Sequence, residues 1–228
     1  MISILHPSRG RPEKSVLCLK NWFDGVLAND VEWIVSLDRN DTELDKYKEL
    51  YKLYYGRHVT LIINDNRSAV DAINNAAKKS TGDILIVVSD DTEPCKFWAD
   101  EINKHYRGRV DWILKTQDGI QPYIITMPVM DRVYYNRTGY IYYPTFDHMF
   151  CDTYLTCVAD ITGRKITSNL LFPHKNDSIK DDLRKRTDST WKQGEDLFIK
   201  LMKEFSPEER ARITDSGMKS WLRNKGVR

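Results

Sequence analysis

The sequence predicts an α/β protein built on a mostly parallel sheet with helices wound on both faces. Three observations carry that prediction. Strand-length apolar runs alternate with helical patterns through residues 2–88. The run Ile84-Leu85-Ile86-Val87-Val88 is apolar without alternation, as expected of a strand covered on both sides. Each of the first four strands ends in a polar cluster: Pro7-Ser8-Arg9, Asp38-Arg39-Asn40, Asn64-Asp65-Asn66 and Ser89-Asp90-Asp91. Parallel sheets bind ligands in the crevice beyond the carboxyl ends of their strands.

The elements follow in order. Residues 2–6 form a short apolar strand, which stops at Pro7-Ser8-Arg9-Gly10-Arg11-Pro12, a turn punctuated by two prolines and a glycine. Val16, Leu17, Leu19, Trp22, Phe23 and Val26 recur at helical spacing. Residues 31–37 read as the second strand, 43–55 as a charged helix rich in tyrosine, and 59–63 as the third strand. Ala69, Ala72, Ile73, Ala76 and Ala77 mark the apolar side of a helix over 68–79. Beyond residue 94 the pattern predicts a helix over 97–106, strands over 111–115 and 124–130, a helix over 153–162, a strand over 166–172 and a helix over 191–205. Ser206-Pro207-Glu208-Glu209 has the cap and first-turn proline of a helix start.

Composition narrows the class. A chain of 228 residues, 41% hydrophobic and 30% charged, suits a globular protein of one domain plus an appendage. The net charge of +2, from 35 basic and 33 acidic residues, argues against binding nucleic acid by bulk charge. Basic residues do concentrate toward the end of the chain. The four cysteines include no CxxC pair, which argues against structural zinc. Their apolar neighbours suit reduced thiols and a cytoplasmic location. No signal peptide and no membrane span is read from the sequence. Neither a GxGxxG nor a P-loop pattern is present, which excludes the usual dinucleotide and P-loop kinase folds.

Ser89-Asp90-Asp91 is the stretch with the most chemistry. Two acids at a strand end can hold a hard divalent cation, which in turn grips phosphate. The competing reading is a capping turn.

Taken together these features resemble the GT-A glycosyltransferases, of the type related to the large inverting family two, and within it short versions encoded by viruses and phages. The resemblance covers about residues 2–176. Pro7-Ser8-Arg9-Gly10-Arg11-Pro12 resembles the family's first-strand loop, and Trp33-Ile34-Val35-Ser36-Leu37-Asp38 its second strand ending in a base-reading acid. The stretch from Asn66 to Gly82, with Ala72, Asn74 and Ala76, resembles its alanine- and asparagine-marked helix. Ser89-Asp90-Asp91 stands where the family has its DXD motif, with serine replacing the first acid. Cys151-Asp152 stands at the family's Glu-Asp pair and keeps only the second acid.

The resemblance implies a catalytic domain over 1–176 and a charged helical extension over 177–228. It also implies roles. Asp91 would ligate Mn2+ or Mg2+, completed by His174, whose alternative is an ordinary loop histidine. Asp90 would partner Asp91 or contact ribose, and Ser89 would meet the nucleotide-sugar with a hydroxyl where the family has an acid. Asp38 would accept a hydrogen bond from the imide of uracil or an equivalent base. Pro7, Ser8, Arg9, Arg11, Asp65, Asn66 and Asn74 would line the nucleotide and diphosphate. Asp152 would be the general base, with an N-cap as its alternative and Asp147 and His148 as runners-up. Tyr134, Tyr135, Tyr140, Tyr142 and Tyr143 would either stack on sugar or pack the core. Lys175, Lys180, Arg184 and Lys185 would reach the diphosphate if the extension acts as a lid.

The expected partners are a nucleotide-sugar donor, a UDP-sugar by family precedent, and an acceptor that the sequence does not name. For a viral chain the compartment would be the host cytoplasm. Two other functions compete. A sugar nucleotidyltransferase usually has a glycine-rich first loop, and Ser8-Arg9-Gly10-Arg11 is glycine-poor. A non-catalytic sugar-, nucleotide- or nucleic-acid-binding module on the same scaffold would fit Ser89 and the basic tail.

Overall fold

A computed structural model describes residues 1–24, 26, 31–54, 56, 58–175 and 189–227. Seven strands form one sheet in the order β3-β2-β1-β4-β6-β5-β7. They are β1 (Ile2–Pro7), β2 (Val31–Asp38), β3 (Val59–Asn64), β4 (Ile84–Val87), β5 (Ile113–Gln117), β6 (Val129–Asp131) and β7 (Lys165–Leu171). Only β6 runs against the rest, pairing antiparallel with β4 and β5. This is the mixed, mostly parallel sheet that the alternation predicts.

Helices cover both faces. On one lie α1 (Pro12–Phe23), α2 (Leu44–Tyr51) and α4 (Trp98–Tyr106), which bury Trp22, Tyr47, Tyr51 and Trp98 with Ile4, Trp33 and Ile86. On the other lie α3 (Ala69–Lys79), α5 (Arg132–Asn136) and α6 (Cys151–Ile161). The C-terminal helices α7 (Trp191–Glu204), α8 (Pro207–Arg210) and α9 (Ser216–Asn224) join this second face. Phe198, Met202, Leu222 and Val227 are buried in the same cluster as Leu5, Ile34 and Leu155, so the C-terminal helices complete the core of the sheet domain. Lys180, Arg184 and Lys185 lie outside the described residues.

Local sequence accounts for the element ends. Pro12 opens α1, where its missing N–H costs nothing. Ser68 caps α3 by accepting from the Asp71 N–H, and Ser206 with Glu209 forms a full capping box before α8. Gly82 lets the chain pass Ser3 closely, since a β-carbon there would stand 2.5 Å from the serine Oγ. One expectation differs: of 124–130, only Val129–Asp131 is strand. Ile124–Pro128 instead approaches α6, where Thr156 Oγ1 accepts from the Ile125 N–H at 2.9 Å.

Register brings the polar clusters level. Pro7 lies opposite Ser36, Asp38 opposite Asn64, and Leu5 opposite Val87. The four clusters therefore share one edge. Among the described residues no helix is long and apolar enough to cross a membrane. Cys18, Cys151 and Cys157 are buried thiols, and burial raises the pKa of each.

Candidate active site

Three of the predicted donor-binding residues meet at the ends of β1, β2 and β3. Arg9 pairs with Asp38 and also donates to Asn40 Oδ1 at 2.8 Å. Asn66 Nδ2 donates to Asp38 Oδ1 at 2.8 Å and to the Leu37 carbonyl at 3.2 Å. Asn75 in turn donates to Asn66 Oδ1 at 2.8 Å. Each Asp38 oxygen thus holds one protein donor and keeps a lone pair for a ligand N–H. Arg11 precedes α1, its backbone N–H bonded to the Tyr47 hydroxyl at 3.0 Å. Asp65 is in the same cluster of the sequence, but its side chain is 81% exposed and turns to Arg39.

Ser8 and Asp90 lie lower, beneath the edge. Asp90 is 8% exposed and sits 3.0 Å from His6 Nε2 and 3.2 Å from Ser8 Oγ. His6, fully buried, also contacts the Val88 carbonyl at 3.0 Å and Ser15 Oγ at 2.9 Å. Ser8 continues to the Tyr47 hydroxyl and Ser15 to that of Tyr51, each at 2.7 Å. This buried network joins β1, α1, α2 and the end of β4. Within it His6, Ser8, Ser15, Tyr47, Tyr51 and Asp90 are hydrogen-bonded to one another, as buried polar groups prefer. Sequence reading missed His6, Ser15, Tyr47 and Tyr51; the signal was a lone histidine inside an apolar strand.

Asp91 turns outward to His174. Its Oδ2 stands 2.9 Å from His174 Nε2, and Ser89 Oγ donates to its other oxygen. Burial pushes the Asp91 carboxyl up, but the hydrogen bonds from His174 and Ser89 outweigh it and hold the pKa below the ordinary value. His174 is placed by backbone: its N–H bonds to the Asp118 carbonyl at 3.0 Å, and it bridges antiparallel to Thr92. Asp118, also unforeseen, is buried and accepts from the N–H groups of Ile120 and Gln121 and from Thr126 Oγ1. Lys175, expected to reach the diphosphate if the extension acts as a lid, pairs with Glu93.

The pair suits a divalent cation. Neighbouring ligands about 2.1 Å from an octahedral ion stand about 3.0 Å apart, close to the separation seen here. A carboxylate with an imidazole suits Mn2+ acceptably. Among the described residues no cluster of three His, Cys, Asp or Glu side chains forms a closed cage. The remaining positions would fall to phosphate oxygens and water.

Asp152 is the second residue of α6. Its Oδ1 accepts from the Thr153 N–H at 2.7 Å and from Thr153 Oγ1 at 3.2 Å. Burial raises its pKa above the ordinary carboxylate value, opposed by the Thr153 N–H and by His148. Phe150, just before α6, has a left-handed backbone with φ 69°. The segment containing Thr126 ties α6 toward the Asp91–His174 pair: Thr156 accepts from Ile125 and donates to the Asp152 carbonyl, while Thr126 bonds the Asp118 carboxylate beneath His174.

Asn74 is not bonded to the Arg9–Asp38–Asn66 group. It is buried in α3, and its amide is spent on the 141–142 backbone: Nδ2 donates to the Tyr142 carbonyl at 2.8 Å, and Oδ1 accepts from Ile141 and Tyr142 at 2.9 and 3.2 Å. Tyr134, Tyr135 and Tyr142 are buried and Tyr143 packs against Tyr154 and Phe146, so these rings serve the core.

The fold is that of the GT-A glycosyltransferases: a seven-stranded, mostly parallel sheet with helices on both faces. It superposes on the mannosyltransferase PcManGT from Pyrobaculum calidifontis, solved with GDP-Man and Mn2+, with a TM-score of 0.69 at 11% identity, over 91% of this chain and 66% of that one. It also superposes on residues 1–349 of S. aureus TarS in complex with UDP-GlcNAc, with a TM-score of 0.65 at 12% identity, over 92% of this chain and 69% of that one. In sequence, 88 residues are 31% identical to a dolichyl N-acetyl-alpha-D-glucosaminyl phosphate 3-beta-D-2,3-diacetamido-2,3-dideoxy-beta-D-glucuronosyltransferase of Methanococcus voltae. That match spans 38% of this chain and 27% of the relative, and no family model matches the chain.

Proposed function

We propose that this chain is a metal-dependent glycosyltransferase, moving a sugar from a nucleotide-sugar, expected to be a UDP-sugar, to a hydroxyl acceptor. The observation that carries the reading is the Asp91–His174 pair, 2.9 Å apart, at the same strand edge as the Arg9–Asp38–Asn66 group. Asp38 accepts the imide N–H of the base, and Arg9 and Arg11 face the phosphates. Pro7, Ser8, Asn66 and Ser89 shape the wall of the crevice. Asp90, Asp65 and Asn74 support it as framework or rim.

Asp91 and His174 would hold Mn2+ or Mg2+, which when bound neutralises the charge growing on the diphosphate leaving group. Asp152 takes the proton of the acceptor hydroxyl as its oxygen attacks the anomeric carbon. The bond from that carbon to the diphosphate oxygen breaks in the same displacement, with inversion. A raised pKa suits a base that works near neutral pH. The relatives fit this reading: one is solved with GDP-Man and Mn2+, another with UDP-GlcNAc.

Ser89, standing where the family has an acid, favours a second reading: a sugar- or nucleotide-binding module without turnover. One experiment separates them. Melting temperature is measured with a panel of nucleotide-sugars, with and without Mn2+, followed by assay of nucleoside diphosphate release. A Mn2+-dependent shift with release supports the transferase. A shift without release for any donor supports the binding module. No shift with any nucleotide refutes the transferase and leaves a scaffold that binds something other than a nucleotide.

A further inference from the structure

We infer that the C-terminal helices are a positioning brace for Asp152: Trp191, Phe198 and Trp221, with the side-chain-free approach of Gly194 to Met149, hold Phe150 in its left-handed conformation and so fix where α6 begins. The inference rests on the reading of Asp152 as base.

Phe150 has φ 69° and ψ 0°, a left-handed backbone that is uncommon and costly for a residue with a β-carbon. The surroundings here come from the C-terminal helices. The Phe150 ring stacks on Phe198 at 5.7 Å, meets Trp191 edge-on at 5.1 Å and lies 6.1 Å from Trp221. Phe198 and Trp221 are themselves 5.8 Å apart, closing the cluster. A second contact acts on the preceding residue. A β-carbon at Gly194 would stand 2.4 Å from the Met149 carbonyl oxygen, so α7 meets the 145–149 loop backbone to backbone.

The helix start follows from Phe150. Its carbonyl accepts from the Tyr154 N–H at 2.9 Å, the bond that opens α6. Asp152 lies within that first turn, and its carboxylate is oriented by its own neighbour Thr153. If Phe150 leaves the left-handed region, the first turn loses its origin and the carboxylate moves with it. The far side of the brace is pinned independently. Asp160, near the end of α6, accepts from both the N–H and the hydroxyl of Thr214 at 2.9 Å, and Arg212 donates to the Ile161 carbonyl at 3.1 Å.

Trp191 makes the test possible because it is 53% exposed, so its loss barely touches the core. Trp191→Ala and Trp191→Phe are compared in the full chain. Turnover is read as nucleoside diphosphate release from the donor that stabilises the protein, nucleotide affinity by calorimetry with UDP and Mn2+, and order at the start of α6 by hydrogen exchange of amides 151–156. The expected result for Trp191→Ala is a kcat loss of about tenfold or more, since a misplacement of about 1 Å costs up to about a hundredfold. Nucleotide affinity stays within about twofold of the parent, on the same ground that the donor crevice is untouched. Exchange at the start of α6 rises, and Trp191→Phe restores most of the turnover. Wild-type kcat with unchanged exchange in Trp191→Ala overturns the brace, as does a loss of nucleotide affinity equal to the loss of kcat. Asp152→Asn run alongside separates the two ideas. Undiminished turnover there refutes the base and the inference together. A large loss there beside wild-type turnover in Trp191→Ala refutes the brace alone.

Discussion

Asn74→Ala is a sharp test of how the crevice is framed. The resemblance implies that Asn74 lines the nucleotide, whereas the structure spends its amide on Ile141 and Tyr142. Alanine removes three hydrogen bonds and leaves two N–H groups and one carbonyl without a partner, at residues that are 1% and 4% exposed. Each buried backbone group left unsatisfied costs about 1–3 kcal/mol. Three such groups set a range of about 3–9 kcal/mol, and water entering the space left by the amide favours the low end. A loss of about 3–5 kcal/mol is a large share of the roughly 5–15 kcal/mol that holds a domain folded. For a chain of this size it lowers the melting temperature by about 6–20 °C. The assay is urea denaturation followed by circular dichroism, paired with calorimetric titration of UDP and Mn2+. The expected outcome is a lower midpoint with near-parent nucleotide affinity in the protein that remains folded. A destabilisation below about 1 kcal/mol together with lost nucleotide affinity would refute the reasoning and return Asn74 to the ligand.

Further outcomes follow from the site. Asp91→Ala should abolish Mn2+-dependent stabilisation by nucleotide, which at a hundredfold excess over Kd amounts to about 2.7 kcal/mol; His174→Ala should weaken it, and a full shift in either variant contradicts the metal assignment. Asp152→Asn should lower transfer by about 10²–10⁴-fold while nucleotide binding persists. Because burial holds the Asp152 carboxyl above its ordinary value, its penalty on folding is fully present above that raised pKa and is relieved as pH falls through it. Asp152→Asn should therefore stabilise the fold at neutral pH, with an advantage that shrinks toward the ordinary carboxylate range, while parent turnover falls as pH drops through the same raised value; denaturation and rate profiles against pH check both signs. Asp90→Asn should lower the melting temperature by loosening the contact with His6 and Ser8 yet keep the Mn2+ requirement of nucleotide binding. Loss of that requirement would make Asp90 a ligand.

Much of this was legible in the chain. An unbroken aliphatic run such as Ile84–Val88 has no polar face to offer water, so it must lie inside a sheet covered on both sides. Alternation of such runs with helices leaves few topologies, and parallel strands put their ends on one edge. Asp38, Asn66, Arg9 and Asp91 could therefore be placed at that edge from their positions at or just after strand ends. Helix starts at Pro12, Ser68 and Ser206 are local chemistry and need no fold to be read.

Tertiary structure alone decided which polar residues face the crevice and which hold it up. Asp90 and Asp91 are adjacent, yet one turns down to His6 and the other out to His174, because successive side chains after a strand diverge and only the neighbouring elements fix their partners. Asn74 and Asp65 carry the right chemistry for a ligand, and packing places them against the 141–142 backbone and Arg39. The antiparallel β6 and the merging of the C-terminal helices into the core were likewise beyond local reading. Both depend on contacts between residues far apart in the chain, such as Phe150 with Trp221, and local periodicity holds no record of such pairs. The sequence by itself determined the fold class and the edge where chemistry gathers. The proposed assignment of each acid to ligand, framework or base rests on packing, since a carboxylate's role is set by its neighbours and its access to water.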